Sequence, residues 1–414
     1  MKNLLPFLAI LTITFCAISC TDFTTDREIV AGLTEDINFL ADDALEGRAI
    51  GTAGEVKAAN YIAKAFEEIG LDPKGTDGYL QPFTVKKATN PHEQAVIGST
   101  GDGVTGHNVA GFIDNSAAFT IVIGAHFDHL GYGEEGSLFR GEPAIHNGAD
   151  DNASGTAAVI ELAKILKAKR SNYNFLFLAF SGEENGLWGS NYFSKNSTVS
   201  LDSINYMINM DMVGRMNEEK TLAINGTGTS PAWTEVLDKV NTDSLKLVTS
   251  ESGVGPSDHT SFYLQDVPVL HFFTGQHEDY HKPTDDADKI NYKGLTFVIR
   301  YIERLIDALD DNDKLAFTKT QDSSGDSPRF TVSLGVVPDY LYDGSGMRID
   351  GVTDGKPAAE AGMKKGDIVV KLGDSTIVDM MSYMRALSGF ASGQQTVVEY
   401  KRGDELKAAE IKFK

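Results

Sequence analysis

Two adjacent glutamates directly follow a strongly apolar segment in the middle of the chain. The segment spans residues 175–180 and predicts a fully buried strand, after which Ser181 and Gly182 lead to Glu183 and Glu184. Carboxylates this close repel each other, and burial raises the free energy of their charged forms. A bound cation would relieve both effects. The pair therefore predicts further metal-ligating side chains elsewhere in the chain.

Strands and helices alternate around this pair, which predicts an α/β domain with a mixed, mostly parallel central sheet flanked by helices. In such a sheet the functional site lies beyond the carboxyl ends of the strands. Short apolar stretches between residues 85 and 113 are expected to form edge strands. The predicted strands span 119–125, 173–180, 204–210 and 267–273, and the predicted helices span 26–40, 55–69, 156–168, 187–193, 231–240 and 292–309.

Candidate metal ligands follow the predicted strands and also occur late in the domain. Imidazoles and carboxylates without a thiolate fit zinc, manganese or cobalt in a hydrolytic site. Any one of them has an ordinary structural explanation, such as a hydrogen-bonded surface histidine or an aspartate that caps a helix. Five protein ligands are too many for a single four-coordinate catalytic zinc, which must keep one coordination position open for water or substrate. They suit two metal ions that share one carboxylate. The acidic and imidazole side chains at these positions are His126, Asp128, Asp150, Asp151, Glu183, Glu184, Asp211 and His281, of which Asp150 is expected to belong to the loop or to support a ligand.

These motifs together resemble peptidase family M28, the co-catalytic zinc aminopeptidases, over roughly residues 29–309. The resemblance implies the zinc-exopeptidase fold and a hydrolase that removes the amino-terminal residue of peptides with a free amino terminus. The motifs that carry it are Leu45-Glu46-Gly47-Arg48, Gly51-Thr52-x-Gly54, His126-x-Asp128, the run from Gly148 to Gly155, Ser181-Gly182-Glu183-Glu184, Met210-Asp211, Ser257-Asp258-His259 and Tyr280-His281.

The resemblance implies two zinc ions per chain, for which manganese or cobalt could substitute. His126 and Asp211 would hold one ion, Glu184 and His281 the other, and Asp151 would bridge them. The peptide bond after Asp151 would be cis.

The resemblance also implies roles beyond metal binding. Asp128 would hydrogen-bond His126 and fix its tautomer, Glu183 would be the general base, and Tyr280 would donate to the oxyanion. Asp258 and His259 are expected either to line the substrate cleft or to fix a loop.

Two other functions remain open for this domain. One is an acyl transferase of the same fold, similar to glutaminyl cyclases, which work with a single zinc. The other is a non-catalytic lipoprotein that only binds peptides. The presence of every metal ligand and of the base favours the aminopeptidase.

The last part of the chain changes to short strands and turns after a polar segment. Residues 316–329 are expected to form a linker, and residues 330–414 resemble a bacterial PDZ domain, a small β-barrel-like fold, through the Pro357-Ala358-x-x-Ala361-Gly362-Met363 run. The resemblance implies that a peptide adds as a strand, with its terminal carboxylate at Leu334, Gly335 and Val336. A packing or dimerisation module without a ligand is the alternative.

The first residues indicate export. Residues 1–19 combine Lys2 with an apolar stretch, as in a signal peptide, and Cys20 is a candidate for lipidation. The remaining residues, 20–315, would form the catalytic domain, anchored by lipid alone to a membrane of a bacterial cell envelope. The formal net charge of −22 argues against nucleic acid as a partner.

Overall fold

The computed structural model describes two domains joined by a short segment. The described residues are 24–86, 95–98, 102–320, 332–339, 342, 344–353, 355–403 and 405–413. The predicted signal peptide and Cys20 lie outside them. Among these residues, every helix is too short or too polar to cross a membrane.

The described helices include all six predicted for the larger domain, with bounds that differ by at most two residues, and also two short helices of five and four residues that were not predicted. In chain order they are α1 Asp26–Leu40, α2 Ala53–Ile69, α3 Gly155–Lys167, α4 Trp188–Lys195, α5 Ala232–Lys239, α6 His259–Tyr263, α7 Tyr292–Leu309, α8 Pro357–Glu360 and α9 Met380–Ser388. Helix α7 packs against α1, α3 and α5, whereas α4 packs against α6. The helices thus form layers that cover the central sheet.

The larger domain is built on one sheet of ten strands. Its strands are β1 Asp72–Pro73, β2 Leu80–Lys86, β3 Val96–Ile97, β4 Val104–Ile113, β5 Thr120–His126, β6 Asn174–Phe180, β7 Ile204–Met210, β8 Thr221–Asn225, β9 Lys246–Ser250 and β10 Val269–Phe273. The order is β3-β2-β4-β6-β5-β7-β10-β8-β9, with β1 paired to β4. Strands β6, β5, β7 and β10 are mutually parallel, so their carboxyl ends meet at one edge.

Two parts of this sheet differ from the sequence prediction. Strand β4 is an interior strand between β2 and β6, not an edge strand, and it is buried over most of its length. Strands β1, β8 and β9 were not predicted, and β2 begins five residues before the predicted stretch. Strand β1 has two residues, β8 and β9 have five each, and β9 is largely exposed, so none of the three carries a long apolar pattern.

A buried arginine joins the amino-terminal region to the loops that follow the central strands. Arg48 is completely buried and donates to the backbone oxygens of Phe127 at 2.7 Å, Asn147 at 2.6 Å and Gly148 at 3.0 Å, and also to that of Leu40. Burial lowers the pKa of Arg48 to about 10, so the guanidinium stays charged at neutral pH. These hydrogen bonds give a structural role to Arg48, the last residue of the Leu45-Glu46-Gly47-Arg48 motif.

The Gly51-Thr52-x-Gly54 motif lies at the start of a helix that contacts Ser181, between strand β6 and the two glutamates. Helix α2 begins at Ala53, and its buried Glu55 accepts a hydrogen bond from Ser181 Oγ at 2.9 Å. A Cβ at Gly54 would lie 1.8 Å from the backbone oxygen of Leu45. Only glycine allows this close approach.

The predicted linker begins later than expected. Thr318 donates to the backbone oxygen of Thr229 at 2.8 Å, Phe317 lies 5.5 Å from the ring of Tyr263, and Thr320 donates to the Tyr263 hydroxyl at 3.0 Å. Residues 316–320 therefore pack on the larger domain, and the residues from 321 to 331 lie outside those described.

The carboxy-terminal domain has its own sheet and its own core. Its strands are β11 Val336–Pro338, β12 Met347–Val352, β13 Ile368–Leu372, β14 Ser375–Thr376, β15 Gln395–Arg402 and β16 Glu405–Lys412, in the order β11-β12-β13-β15-β16 with β14 on β13. The apolar side chains between the sheet and the helices α8 and α9 form a separate cluster.

We predict that Arg48→Ala lowers the free energy of unfolding of the larger domain by about 3–5 kcal/mol, because buried carbonyl oxygens lose a charged donor. Urea denaturation followed by tryptophan fluorescence measures this, since Trp188 and Trp233 both lie in the larger domain. Arg27→Ala, at an exposed position of α1, is the control. Equal midpoints for the two variants would contradict the role of Arg48.

Candidate metal centre

The predicted ligands converge at the carboxyl edge of the parallel strands. His126 is the last residue of β5, Asp211 follows β7, and Glu183 and Glu184 follow β6 after Ser181 and a left-handed Gly182. Asp151 precedes α3. The fold therefore brings together side chains that are far apart in the sequence.

One group of donor atoms surrounds His126. Its Nε2 atom lies 3.3 Å from Asp211 Oδ1 and 3.5 Å from Asp151 Oδ1. Ligand atoms about 2.0 Å from a tetrahedral zinc are separated by roughly 3.3 Å. The two distances from His126 are close to this spacing, and the donor atoms of all three residues lie within 4.8 Å of one another, so the three residues could hold one metal ion.

A second group shares Asp151. His281 Nε2 lies 3.2 Å from Asp151 Oδ2 and 3.3 Å from Glu184 Oε2. The two oxygens of Asp151 thus face different groups, Oδ1 toward His126 and Oδ2 toward His281. The two groups of donor atoms therefore share the Asp151 carboxylate. The Asp151-Asn152 peptide bond is cis, as the resemblance implied.

His129 also lies in the second group and could be taken for a ligand. Its Nδ1 atom is 2.8 Å from Glu184 Oε1 but 3.9 Å from Asp151 Oδ2. The shorter distance is that of a hydrogen bond and is less than the spacing of two ligands on one metal. His129 therefore orients Glu184, and Glu184 Oε2 remains directed toward His281.

The predicted hydrogen bond between His126 and the Asp128 carboxylate needs correction. His126 Nδ1 lies 3.7 Å from Asp128 Oδ1 but 3.2 Å from the backbone oxygen of Asp128. The backbone carbonyl can thus hold the proton on Nδ1 and leave Nε2 for a metal. The Asp128 carboxylate instead accepts from the backbone N–H of Glu183 at 3.0 Å, so it positions the candidate base.

The two glutamates differ in their electrostatic environment. Burial raises the pKa of Glu183 well above its ordinary value, and the attraction of His126 does not cancel this effect. Burial acts in the same direction on Glu184, but His281 and His129 hold its pKa well below its ordinary value. Glu184 is thus kept charged, as a ligand must be, whereas Glu183 readily takes up a proton.

Two aspartates hold the Asp151 loop: Asp150, which the sequence predicted as a loop residue, and Asp285, which it did not single out. Asp285 accepts from the backbone N–H of Asp150 at 3.0 Å and of Asp151 at 3.1 Å. Asp150 in turn accepts from the backbone N–H of Gly214 at 2.6 Å, and His277 Nε2 lies 3.1 Å from its carboxylate. Burial and the charge of Asp150 raise the pKa of Asp285 to about 6. The one feature of the sequence that could have drawn attention to Asp285 is that it lies four residues after His281, a predicted ligand.

A cavity of about 380 Å³ opens beside the two groups of ligands. Both glutamates and Tyr280 line it, and the Tyr280 ring stacks on His281 with centroids 3.9 Å apart. Apolar side chains such as Phe273 and Val254 form much of the remaining wall. The cavity therefore presents one acidic end and one apolar side to a ligand.

The expected contact of Asp258 and His259 with substrate needs correction. Both residues are fully buried and lie behind the cavity wall, which His271 forms. His259 stacks on His271 with ring centroids 4.5 Å apart, and burial lowers the pKa of both rings, that of His271 to about 4. Burial raises the pKa of Asp258 to about 7. These residues support the wall instead of forming it.

Comparison with protein families identifies both domains. The model of peptidase family M28 matches residues 108–306, and the model of the PDZ domain matches residues 319–413. The chain carries a peptidase family M28 domain followed by a PDZ domain. The family assignment made from the motifs is therefore confirmed.

Similar proteins include aminopeptidases. Aminopeptidase YwaD of Bacillus subtilis is 32% identical over 161 residues, which are 36% of this chain and 34% of the relative. A probable leucine aminopeptidase of Arthroderma otae is 27% identical over 224 residues, which are 52% of this chain and 54% of the relative. The matched regions thus span between a third and about half of these relatives.

Solved structures confirm the α/β fold. BSAP, a zinc aminopeptidase from Bacillus subtilis, superposes with a TM-score of 0.53 at 19% identity and covers 69% of this chain and 96% of its own. Porphyromonas gingivalis glutaminyl cyclase superposes with a TM-score of 0.54 at 17% identity, covering 69% and 99%. The fold is common to both activities, so the distinction must come from the site.

We predict that Asp285→Ala weakens binding of added zinc by roughly 10- to 100-fold, because the Asp151 backbone loses the partner that orients it. Competition with a chromogenic chelator measures the affinity. Asp288→Ala removes an exposed carboxylate three residues away and is expected to leave the affinity unchanged. Unchanged zinc affinity in Asp285→Ala would rule out the positioning role.

Proposed function

We propose that the larger domain is a two-zinc aminopeptidase that hydrolyses the first peptide bond of peptides with a free amino terminus. The observation that carries this proposal is the division of Asp151, whose two oxygens face separate groups of donors. A site for a single ion would not need His126 and Asp211 in addition to Glu184 and His281. The aminopeptidase relatives support the same activity.

His126, Asp211 and Asp151 would hold one ion, and Asp151, Glu184 and His281 the other. The bound ions would lower the pKa of a water molecule and polarise the scissile carbonyl. Manganese or cobalt could occupy the same donors. The acidic end of the cavity also attracts the positively charged amino terminus of a peptide.

Glu183 is suited to move the proton. Its Oε2 atom lies 4.0 Å from His126 Nε2, so the carboxylate is beside the first group of ligands without belonging to it. Asp128 accepts a hydrogen bond from its backbone N–H, and burial raises its pKa, which favours the uptake of a proton. Glu183 would take a proton from the attacking water and give it to the leaving amine.

Tyr280 is placed to assist the carbonyl oxygen. Its ring stacks on His281 and lines the cavity. A phenol at this position would donate a hydrogen bond to the negative charge that develops on the substrate oxygen. Water is partly excluded there by Phe273 and Met212, against which Tyr280 packs.

Two proposals concern the parts beyond this site. The PDZ domain would bind the carboxyl terminus of a peptide at its Leu334-Gly335-Val336 loop. The chain would be exported and anchored by lipid on Cys20 to a bacterial envelope membrane. Labelling of the full chain with a radioactive fatty acid, compared with Cys20→Ser, tests the anchor.

In the substrate test, three peptides are each incubated with the purified, metal-loaded protein, and their products are compared. We expect release of the first residue from an unblocked peptide and no release from its amino-acetylated form. A peptide that begins with glutamine should lose glutamine and not cyclise, as mass spectrometry distinguishes. Cyclisation would instead support the glutaminyl-cyclase activity, and binding of peptides without any product would support the non-catalytic function.

We predict that Glu183→Gln retains both zinc ions but lowers kcat by about 10²–10⁴-fold, since the amide cannot accept the proton. Zinc content by elemental analysis and kcat must be measured on the same preparation. Glu218→Gln, an exposed position on the same domain, should match the original protein in both. Full activity of Glu183→Gln would show that another group is the base.

A further inference from the structure

The PDZ domain forms part of the wall of the metal-site cavity. Met384, on the PDZ helix α9, lines this cavity together with residues of the larger domain. A second cavity, of about 330 Å³, adjoins the first, and five residues line both: Asn225, Val254, Gly255, Pro256 and Met384. The two cavities therefore form one path that leads from the metal ligands to the PDZ domain.

The second cavity is bounded by elements suited to an extended chain. One wall is formed by Val248, Thr249 and Ser250 of β9. Strand β9 is the last strand of the ten-stranded sheet and pairs only with β8 among the described residues. The opposite wall includes Met380 of α9 and Tyr342. An edge strand facing a groove is a template for an added peptide.

The PDZ sheet also ends in an edge strand, β11, and Asp339, directly after this strand, lines the second cavity. Strand β11 pairs with β12 alone among the described residues. The backbone oxygen of Gly335 accepts from Thr353 on the β12 side, and the next N–H, that of Val336, points the opposite way because the peptide unit is planar. The Val336 N–H is thus directed to the open edge.

A positive side chain from the segment before α8 lies against the loop that precedes β11. Gly335 has a φ of +77°, and a Cβ there would lie 2.1 Å from Lys356 Cβ, so the Lys356 stem lies directly against the loop. The exposed Lys356 ammonium complements a terminal carboxylate. The Gly335 N–H already donates to Ser333 Oγ at 3.0 Å, which leaves the Val336 N–H as the donor for a ligand.

We propose that one peptide substrate occupies both domains, with its amino terminus at the metal site and its carboxyl terminus at the PDZ loop. This inference rests on the proposed aminopeptidase function and names its substrates as peptides long enough to span the path. The direction of the chain supports it. A peptide antiparallel to β11, with its carboxylate at Val336, runs back toward Asp339, and Asp339 lines the second cavity.

The PDZ domain would thus select peptides with a free carboxyl end and hold them while the first residue is removed. A peptide shortened by successive cleavage would lose this second attachment. Short products would then be poorer substrates than long ones. The rate of cleavage would thus depend both on the length of the peptide and on its free terminal carboxylate.

The test uses the full chain and a series of peptides from two to about sixteen residues with one common amino-terminal residue, each as free acid and as carboxyl amide. We expect equal kcat/KM for the acid and amide of short peptides. Above one length, the acid should exceed the amide by about ten-fold, the value of one charge-assisted hydrogen bond. Equal values for acid and amide at all lengths would overturn the proposal.

Variants identify the residues responsible. Lys356→Glu should abolish the preference for the acid, whereas Lys412→Glu, an exposed position on β16, should keep it. Met384→Trp should lower the ratio of kcat/KM for long to short peptides about ten-fold because it narrows the path. Ser388→Trp, exposed one turn further along α9, is its control. A preference that survives Lys356→Glu would refute the assigned carboxylate site.

A separate measurement keeps this inference distinct from the proposed function. Binding of a labelled, amino-acetylated peptide of sixteen residues does not require hydrolysis. Loss of affinity on amidation of its carboxyl end, reproduced by Lys356→Glu, supports the PDZ contact even if no peptide is cleaved. Cleavage of all peptides with one length-independent kcat/KM refutes the inference and leaves the aminopeptidase intact.

Discussion

Mutual repulsion between buried carboxylates is the constraint on which the larger domain depends. Parallel strands place their carboxyl ends at one edge, and the chain puts acidic residues there and in the adjoining loops: Asp128, Asp150, Asp151, Glu183, Glu184, Asp211, Asp258 and Asp285. Without compensation, each would raise the pKa of the others. The domain offsets this partly with Arg48, whose charge acts on Asp128 and Asp151, and with histidines beside Asp211 and Glu184.

This compensation also separates the roles of the two glutamates. Glu184 has His129 and His281 as direct partners, so its charged form is stabilised. Glu183 has only the more distant His126, and desolvation dominates its pKa. The two glutamates are adjacent and chemically identical, so the difference between their pKa values arises from the residues that surround each of them. The same turn directs Glu183 toward the first group of ligands and Glu184 toward the second.

The sequence could indicate the candidate ligands but not most of the groups that hold them. His126, Asp211 and the two glutamates end buried strands, and strand ends are visible as apolar runs. Arg48 and Asp285 contact backbone atoms about 80 to 135 positions away, and nothing local in the sequence marks such contacts. The resemblance to family M28 pointed to the motif around Arg48 without explaining it. For the same reason the sequence left open whether Asp258 and His259 line the cleft or fix a loop, and their burial places them behind the cavity wall.

The position of the PDZ domain beside the metal-site cavity could not be predicted from the sequence, because it depends on the surfaces of two separately folded domains. Each unit leaves an edge strand, β9 in one and β11 in the other, and edge strands favour the addition of another chain. Met384 brings the helix beside β11 into the wall of the metal-site cavity. Under the proposed function, the metal site would bind one end of a peptide substrate, and a second site that bound the other end would add affinity without changing the chemistry. Such an attachment acts through effective concentration, and its benefit disappears when the peptide becomes too short to span both sites.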